Sequence, residues 1–172
     1  MPDSRKPVAG GEFPDLSWPQ TNGGRLTPRE AKGWRMLVVY RGAHCPVCKE
    51  YLNTLEGLKS AFLEAGVQVA TLSSDPRERA TQQAEAESWT FPIGHDLTPE
   101  EMRTLGLYVS SPRSPAETNR PFPEPGLFVI NPEGRLQIVD ISNAPFARPD
   151  LSSLLAGLKF IQARNYPIRG TA

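Results

Sequence analysis

Cysteine and histidine are both scarce, with two of each in 172 residues. So few cysteines exclude a disulfide-stapled scaffold, and a zinc site would need every cysteine and histidine in the chain. An excess of charge is missing as well. Lysine and arginine total 19 and aspartate and glutamate 19, a formal net charge of zero. That balance offers neither a basic face for nucleic acid nor an acidic tail. Long apolar runs are absent too: the longest, Met36 to Tyr40, is far short of the roughly 20 residues of a membrane span. There is no internal repeat and no low-complexity tract. The opening Met-Pro-Asp-Ser-Arg-Lys-Pro has no apolar stretch behind its basic residues, so a reducing, cytoplasmic setting is expected. The length suits one domain, read as residues 12–168, with a flexible lead over 1–11 and a tail over 169–172.

Proline, by contrast, is abundant at 18 copies, and much of it reads as punctuation. Thr27-Pro28-Arg29-Glu30, Asp75-Pro76-Arg77-Glu78 and Thr98-Pro99-Glu100-Glu101 each place a capping side chain three residues before a glutamate. Cys45-Pro46 and Arg148-Pro149 share the proline-first form. Apolar residues at helical spacing follow: Tyr51, Leu52, Leu55, Leu58 and Phe62 in one case, Leu151, Leu154, Leu155, Leu158 and Ile161 in the other. Strands are expected at Met36–Tyr40, Val67–Leu72, around Phe91–Ile93, and at Leu127–Ile130 and Leu136–Ile141. The last two should form a hairpin across Asn131-Pro132-Glu133-Gly134. This order predicts an α/β domain, a mixed central sheet with helices on both faces, and a small N-terminal hairpin from Phe13–Trp18 and Gly23–Leu26. Ser110 to Pro125, 16 residues with five prolines and no helical or strand period, reads as a long loop. Trp18, Trp34, Trp89, Phe62 and Tyr40 read as core, and His95 as a surface loop residue.

The chemistry concentrates in one segment, a strand, a short loop and a helix start: Met36-Leu37-Val38-Val39-Tyr40-Arg41-Gly42-Ala43-His44-Cys45-Pro46-Val47-Cys48. A sulfur at the helix cap faces the free N–H groups of the first turn and the positive end of the helix dipole, which favour thiolate. Cys45 is therefore expected to be the more acidic and more exposed thiol. Cys48, one turn on, can close a disulfide with it. Arg41 and His44, if cationic, would lower the thiolate energy further. A structural disulfide across so short a loop would constrain the unfolded chain little, which leaves redox chemistry as the reading of the pair.

These elements resemble the thioredoxin fold. The segment Val39 to Leu52 resembles the peroxiredoxin-like branch of the alkyl hydroperoxide reductase / thiol-specific antioxidant family. So do Ser73-Ser74-Asp75, Glu124-Pro125-Gly126-Leu127-Phe128-Val129-Ile130 and Ala144-Pro145-Phe146-Ala147-Arg148-Pro149. The resemblance implies a thiol-dependent antioxidant oxidoreductase that reduces peroxides through Cys45 and Cys48. It implies re-reduction by thioredoxin, glutathione or a similar thiol donor, no metal or organic cofactor, and a fold that often forms homodimers. Peroxiredoxins carry a proline, a threonine four residues later and the peroxide-reacting cysteine three further on. Those places fall here on Arg41, Cys45 and Cys48. That register favours Cys48, whereas the thioredoxin register and the helix cap favour Cys45, which is adopted here as nucleophile with Cys48 resolving. The resemblance also implies a cis-proline at Pro125, facing the cysteine pair and Pro46; the antiparallel hairpin that follows returns the chain to the same edge, which brings Phe146 and Arg148 beside the site. Arg120 is a weaker candidate, because the family's arginine before the late strand has no match beside Glu124 and Gly126. Two other readings are a disulfide reductase with little peroxidase activity and a non-enzymatic redox-sensing or Cu(I)-binding module.

Overall fold

The computed structural model describes residues 6–172. The strands are β1 (Trp18–Pro19), β2 (Arg25–Leu26), β3 (Trp34–Val39), β4 (Val67–Leu72), β5 (Ile93–Gly94), β6 (Val109–Ser110), β7 (Phe122–Pro123), β8 (Gly126–Ile130) and β9 (Leu136–Ile141). The helices are α1 (Pro46–Glu64), α2 (Arg77–Glu87), α3 (Pro99–Thr104) and α4 (Leu151–Arg164). Five strands form the central sheet in the order β5-β4-β3-β8-β9. β3 pairs in parallel with β4 and antiparallel with β8, which makes the sheet mixed as expected.

Alternation along β3 divides the core in two. Met36, Val38 and Tyr40 face one cluster with Leu52, Leu55 and Phe62 of α1 and Leu151, Leu155 and Leu158 of α4. Leu37 and Val39 face the other, with Phe13, Trp18, Met102 of α3 and Phe128. Helices therefore cover both faces, and the β1–β2 hairpin closes the second.

Some local expectations fail for visible reasons. Thr27–Glu30 makes a turn and no helix, because Arg35 takes the carbonyls of Pro28 (2.6 Å) and Arg29 (3.1 Å). Pro76, not Asp75, occupies the cap of α2, and α4 begins after the Asp150 cap, two residues beyond Pro149. Thr98 and Glu101 do form a capping box. His95 is buried, because its backbone N–H donates to Pro19 under the hairpin and its ring meets Asp96 at 2.6 Å. Gly10 and Gly11 already exchange hydrogen bonds with Leu136, which ties the chain to the sheet before residue 12; Met1–Arg5 of the expected lead lie outside the described residues. The long loop is closed at its base by β6–β7 pairing.

Candidate active site

From the end of β3 the chain passes through Tyr40, Arg41, Gly42, Ala43 and His44 into α1, capped by Cys45 with Pro46 at its first position. Gly42 has φ +134°, a conformation glycine adopts without a side-chain penalty. A Cβ there would lie 2.8 Å from Asp75 Oδ1. The close approach lets Asp75 Oδ2 accept the Ala43 N–H at 2.7 Å. Asp75, expected as a helix cap, instead holds the loop that delivers Cys45. Burial pushes its carboxyl above the usual range, while the Ala43 N–H and the charges of Arg79 and Arg120 pull it back.

Both cysteines are free thiols, Cys45 3% exposed and Cys48 0%. The Cys45 sulfur accepts the Cys48 N–H at 3.3 Å and so caps α1. A hydrogen bond from the Cys48 side chain lowers the Cys45 pKa most and burial opposes it. The Cys48 amide, Arg41 and Arg148 help, and the thiol falls to about 6. Cys48 moves the opposite way, because it gives its proton to Cys45 and because it is buried; Arg148 is the main influence against that rise.

Arg148 comes from the segment between β9 and α4. Its Nη2 donates to the Cys48 sulfur at 2.8 Å and its Nε to the Pro145 carbonyl at 2.7 Å. The guanidinium lies 4.5 Å above the Tyr51 ring, and the Tyr51 hydroxyl donates to the Pro149 carbonyl at 2.7 Å. Arg41 makes a two-pronged pair with Glu124 at 2.8 Å per prong, and Ser110 Oγ donates to the same carboxylate at 2.8 Å. His44 stacks edge-on against Phe122, ring centroids 4.6 Å apart. Burial lowers the His44 pKa, which favours the neutral ring.

Arg41, His44, Cys45, Cys48 and Arg148 thus gather at the carboxyl end of β3. Pro46 is exposed at the helix start, and Phe146, 79% exposed, borders an open groove with Val47, Tyr51 and Pro149. Arg120 sits elsewhere: its Nη1 donates to the Ser74 carbonyl and to Asp96 Oδ1, both at 3.1 Å. Every peptide bond among the described residues is trans, so Pro125 is no cis-proline; its carbonyl accepts the Ser142 N–H at 3.0 Å and extends the β8–β9 ladder. Glu124, Phe122, Ser110 and Tyr51 were not singled out from sequence. Glu124 had one available signal, a carboxylate where the family carries arginine, facing an arginine where it carries proline. Among the described residues no three His, Cys, Asp or Glu side chains are placed to share a metal ion, and no helix is long and apolar enough to cross a membrane.

No curated protein matched the chain. Among solved structures it resembles a cysteine-to-serine mutant of peroxiredoxin 6 from Arenicola marina, with 22% identity, TM-score 0.74, and 92% of this chain and 74% of that one covered. It also resembles the peroxidoxin BcpB of Mycobacterium tuberculosis, with 20% identity, TM-score 0.73 and coverage of 90% and 98%. A yeast mitochondrial 1-Cys peroxiredoxin, described by its thiol-resolving mechanism through glutathione and thioredoxin systems, matches with 17% identity, TM-score 0.73 and coverage of 94% and 82%. These likenesses show the thioredoxin-like fold. The AhpC/TSA family profile matches residues 9–139, most of the chain. The chain belongs to the AhpC/TSA family, and it is a thiol-dependent peroxidase.

Proposed function

We propose that Cys45 is the peroxide-reacting sulfur and Cys48 the resolving one. The observation that carries this reading is the Cys45 sulfur at the cap of α1, accepting the Cys48 N–H, with its thiol drawn down to about 6. The Cys45 thiolate attacks the terminal peroxide oxygen, the O–O bond breaks, and the departing alkoxide or hydroxide takes a proton to leave as alcohol or water. Cys45 is then a sulfenic acid. The Cys48 thiolate attacks its sulfur, hydroxide leaves as water after protonation, and a Cys45–Cys48 disulfide remains. Two electrons from a dithiol such as thioredoxin, or from two glutathione molecules, restore both thiols. The thiol systems named for the yeast relative support this class of reductant, and a cytoplasmic setting would supply it. A homodimer is part of the proposal, to be checked by light scattering of the reduced protein.

One observation favours a second assignment. Arg148 bonds to Cys48 and not to Cys45, as a peroxide-reacting Cys48 would require. Reaction of reduced wild type, Cys45→Ser and Cys48→Ser with one equivalent of hydrogen peroxide separates the two, followed by stopped-flow fluorescence and intact mass. The expected result is rapid loss of two hydrogens from wild type and rapid gain of one oxygen by Cys48→Ser alone. Rapid reaction of Cys45→Ser alone would assign the peroxide step to Cys48. Reaction of none faster than a free thiol would overturn the two-cysteine peroxide cycle.

A further inference from the structure

The guanidinium of Arg148 is held from three sides before any oxidant arrives. Pro145 accepts from Nε, the Tyr51 ring lies beneath, and Nη2 points at the Cys48 sulfur. An arginine cannot give up its charge at any pH the protein survives, and it has only donors. The sulfur it faces must act as acceptor, and accepts best as thiolate. We infer that Arg148 is a catalytic residue of the second chemical step, there to make Cys48 a thiolate at the moment it attacks oxidised Cys45. This inference rests on the proposed assignment of Cys45 as first nucleophile.

The reduced pair explains why such a group is needed. While Cys45 is a thiolate, Cys48 keeps its proton, because it donates that proton to Cys45 and because a second negative charge alongside is unfavourable. Oxidation of Cys45 removes both effects at once. What remains is burial, which resists charge on Cys48, and against it Arg148 first and a hydrogen bond from the Arg41 backbone second. The arginine therefore contributes a little to the first step and is the larger of the two influences that favour charge on Cys48 in the second. Among the described residues no carboxylate pairs with it, in contrast to Arg41, which is committed to Glu124. Its Nη1 is buried and bonded to no protein acceptor, which leaves a donor free to follow the charge as it moves.

The step can be observed without peroxide. Ellman's reagent forms a mixed disulfide on Cys45 with release of one thionitrobenzoate. The Cys48 thiolate then attacks the Cys45 sulfur, the Cys45–Cys48 bond forms, and the second thionitrobenzoate leaves as thiolate, so electrons and atoms balance. Wild type, Arg148→Gln and Arg148→Lys are compared by the two releases across pH, with Cys48→Ser marking the first alone. The expected result is a first release slowed far less than the second, because Arg148 is the least of the influences that lower the Cys45 thiol. The second slows by about tenfold to a hundredfold, the loss of one charged hydrogen bond, with its pH midpoint moved upward. Lysine should recover part of the rate and glutamine none. A further check is Arg148→Ala with added guanidinium ion, which should restore the second release in proportion to its concentration. An unchanged second release, or an equal loss in both, overturns the inference. If the releases behave as expected but peroxide reacts no faster than with a free thiol, the peroxidase cycle falls and the role of Arg148 stands.

Discussion

Cys45 owes its acidity to a few neighbours whose contributions have opposite signs. On the proposed assignment, because the Cys45 thiol is lowered, the thiolate fraction, and with it the rate of the peroxide step, rises with pH and levels off above about 6. A free thiol levels off only near pH 8.5. Single-turnover reactions of wild type report this midpoint, and its shift in Cys48→Ser reports how much the Cys48 side chain contributes to it. Glu124 tunes the same midpoint from a distance, since it neutralises Arg41, one of the charges that favour the thiolate. In Glu124→Gln an amide oxygen still accepts from Arg41 but the negative charge is gone, so the pH midpoint should move lower. Removing one charge of a pair whose carboxylate is buried should also cost about 1–3 kcal/mol in denaturant unfolding. An unmoved midpoint would show that Arg41 acts on Glu124 alone. The sequence made Arg41 visible as a nearby charge. It did not show that this charge was already engaged, because Glu124 lies 83 residues along the chain.

At the level of elements, the readable parts were those whose signal is local. β4 and β9 have the expected bounds, and α1 follows from Pro46 and the repeat of Leu52, Leu55 and Phe62. What could not be read depended on distant partners. Thr27–Glu30 has every mark of a helix start, yet Arg35 draws its carbonyls into a turn. Asp75 has the spacing of a cap but spends its carboxylate on Ala43, in a loop 32 residues earlier. The Gly42 loop is where these errors and the chemistry meet. Gly42→Ala should be costly on two counts, a positive φ and a methyl group 2.8 Å from the Asp75 carboxylate. A loss of about 1–3 kcal/mol is expected, together with a slower peroxide step, because Asp75 must release Ala43 for the methyl to fit. Stopped-flow traces and urea unfolding of the same sample separate the two effects.

Across the whole molecule, the site stands where the sheet changes character, at the carboxyl end of β3, with a parallel neighbour on one side and an antiparallel one on the other. The hairpin β8–β9 returns the chain to that end, and the Ser142 N–H on the Pro125 carbonyl fixes the return that presents Arg148. Stability is set mainly elsewhere, in the two apolar layers. Phe62→Ala, at a fully buried position far along α1, should cost about 3–5 kcal/mol and lower the urea midpoint sharply. The peroxide step should stay close to wild type wherever the fold persists. The cap of α1 joins these two accounts. On the proposed assignment, one sulfur atom is both the attacking group and the acceptor that anchors the first turn. A sulfenic or disulfide sulfur accepts an N–H far less well than a thiolate, so each turnover loosens the end of the helix and each reduction fastens it again. Hydrogen exchange at the Cys48 amide should therefore run faster in the oxidised protein than in the reduced one, while the amides around Phe62 stay unchanged. The backbone would then carry a legible mark of redox state, available to any partner that must tell a spent molecule from a fresh one.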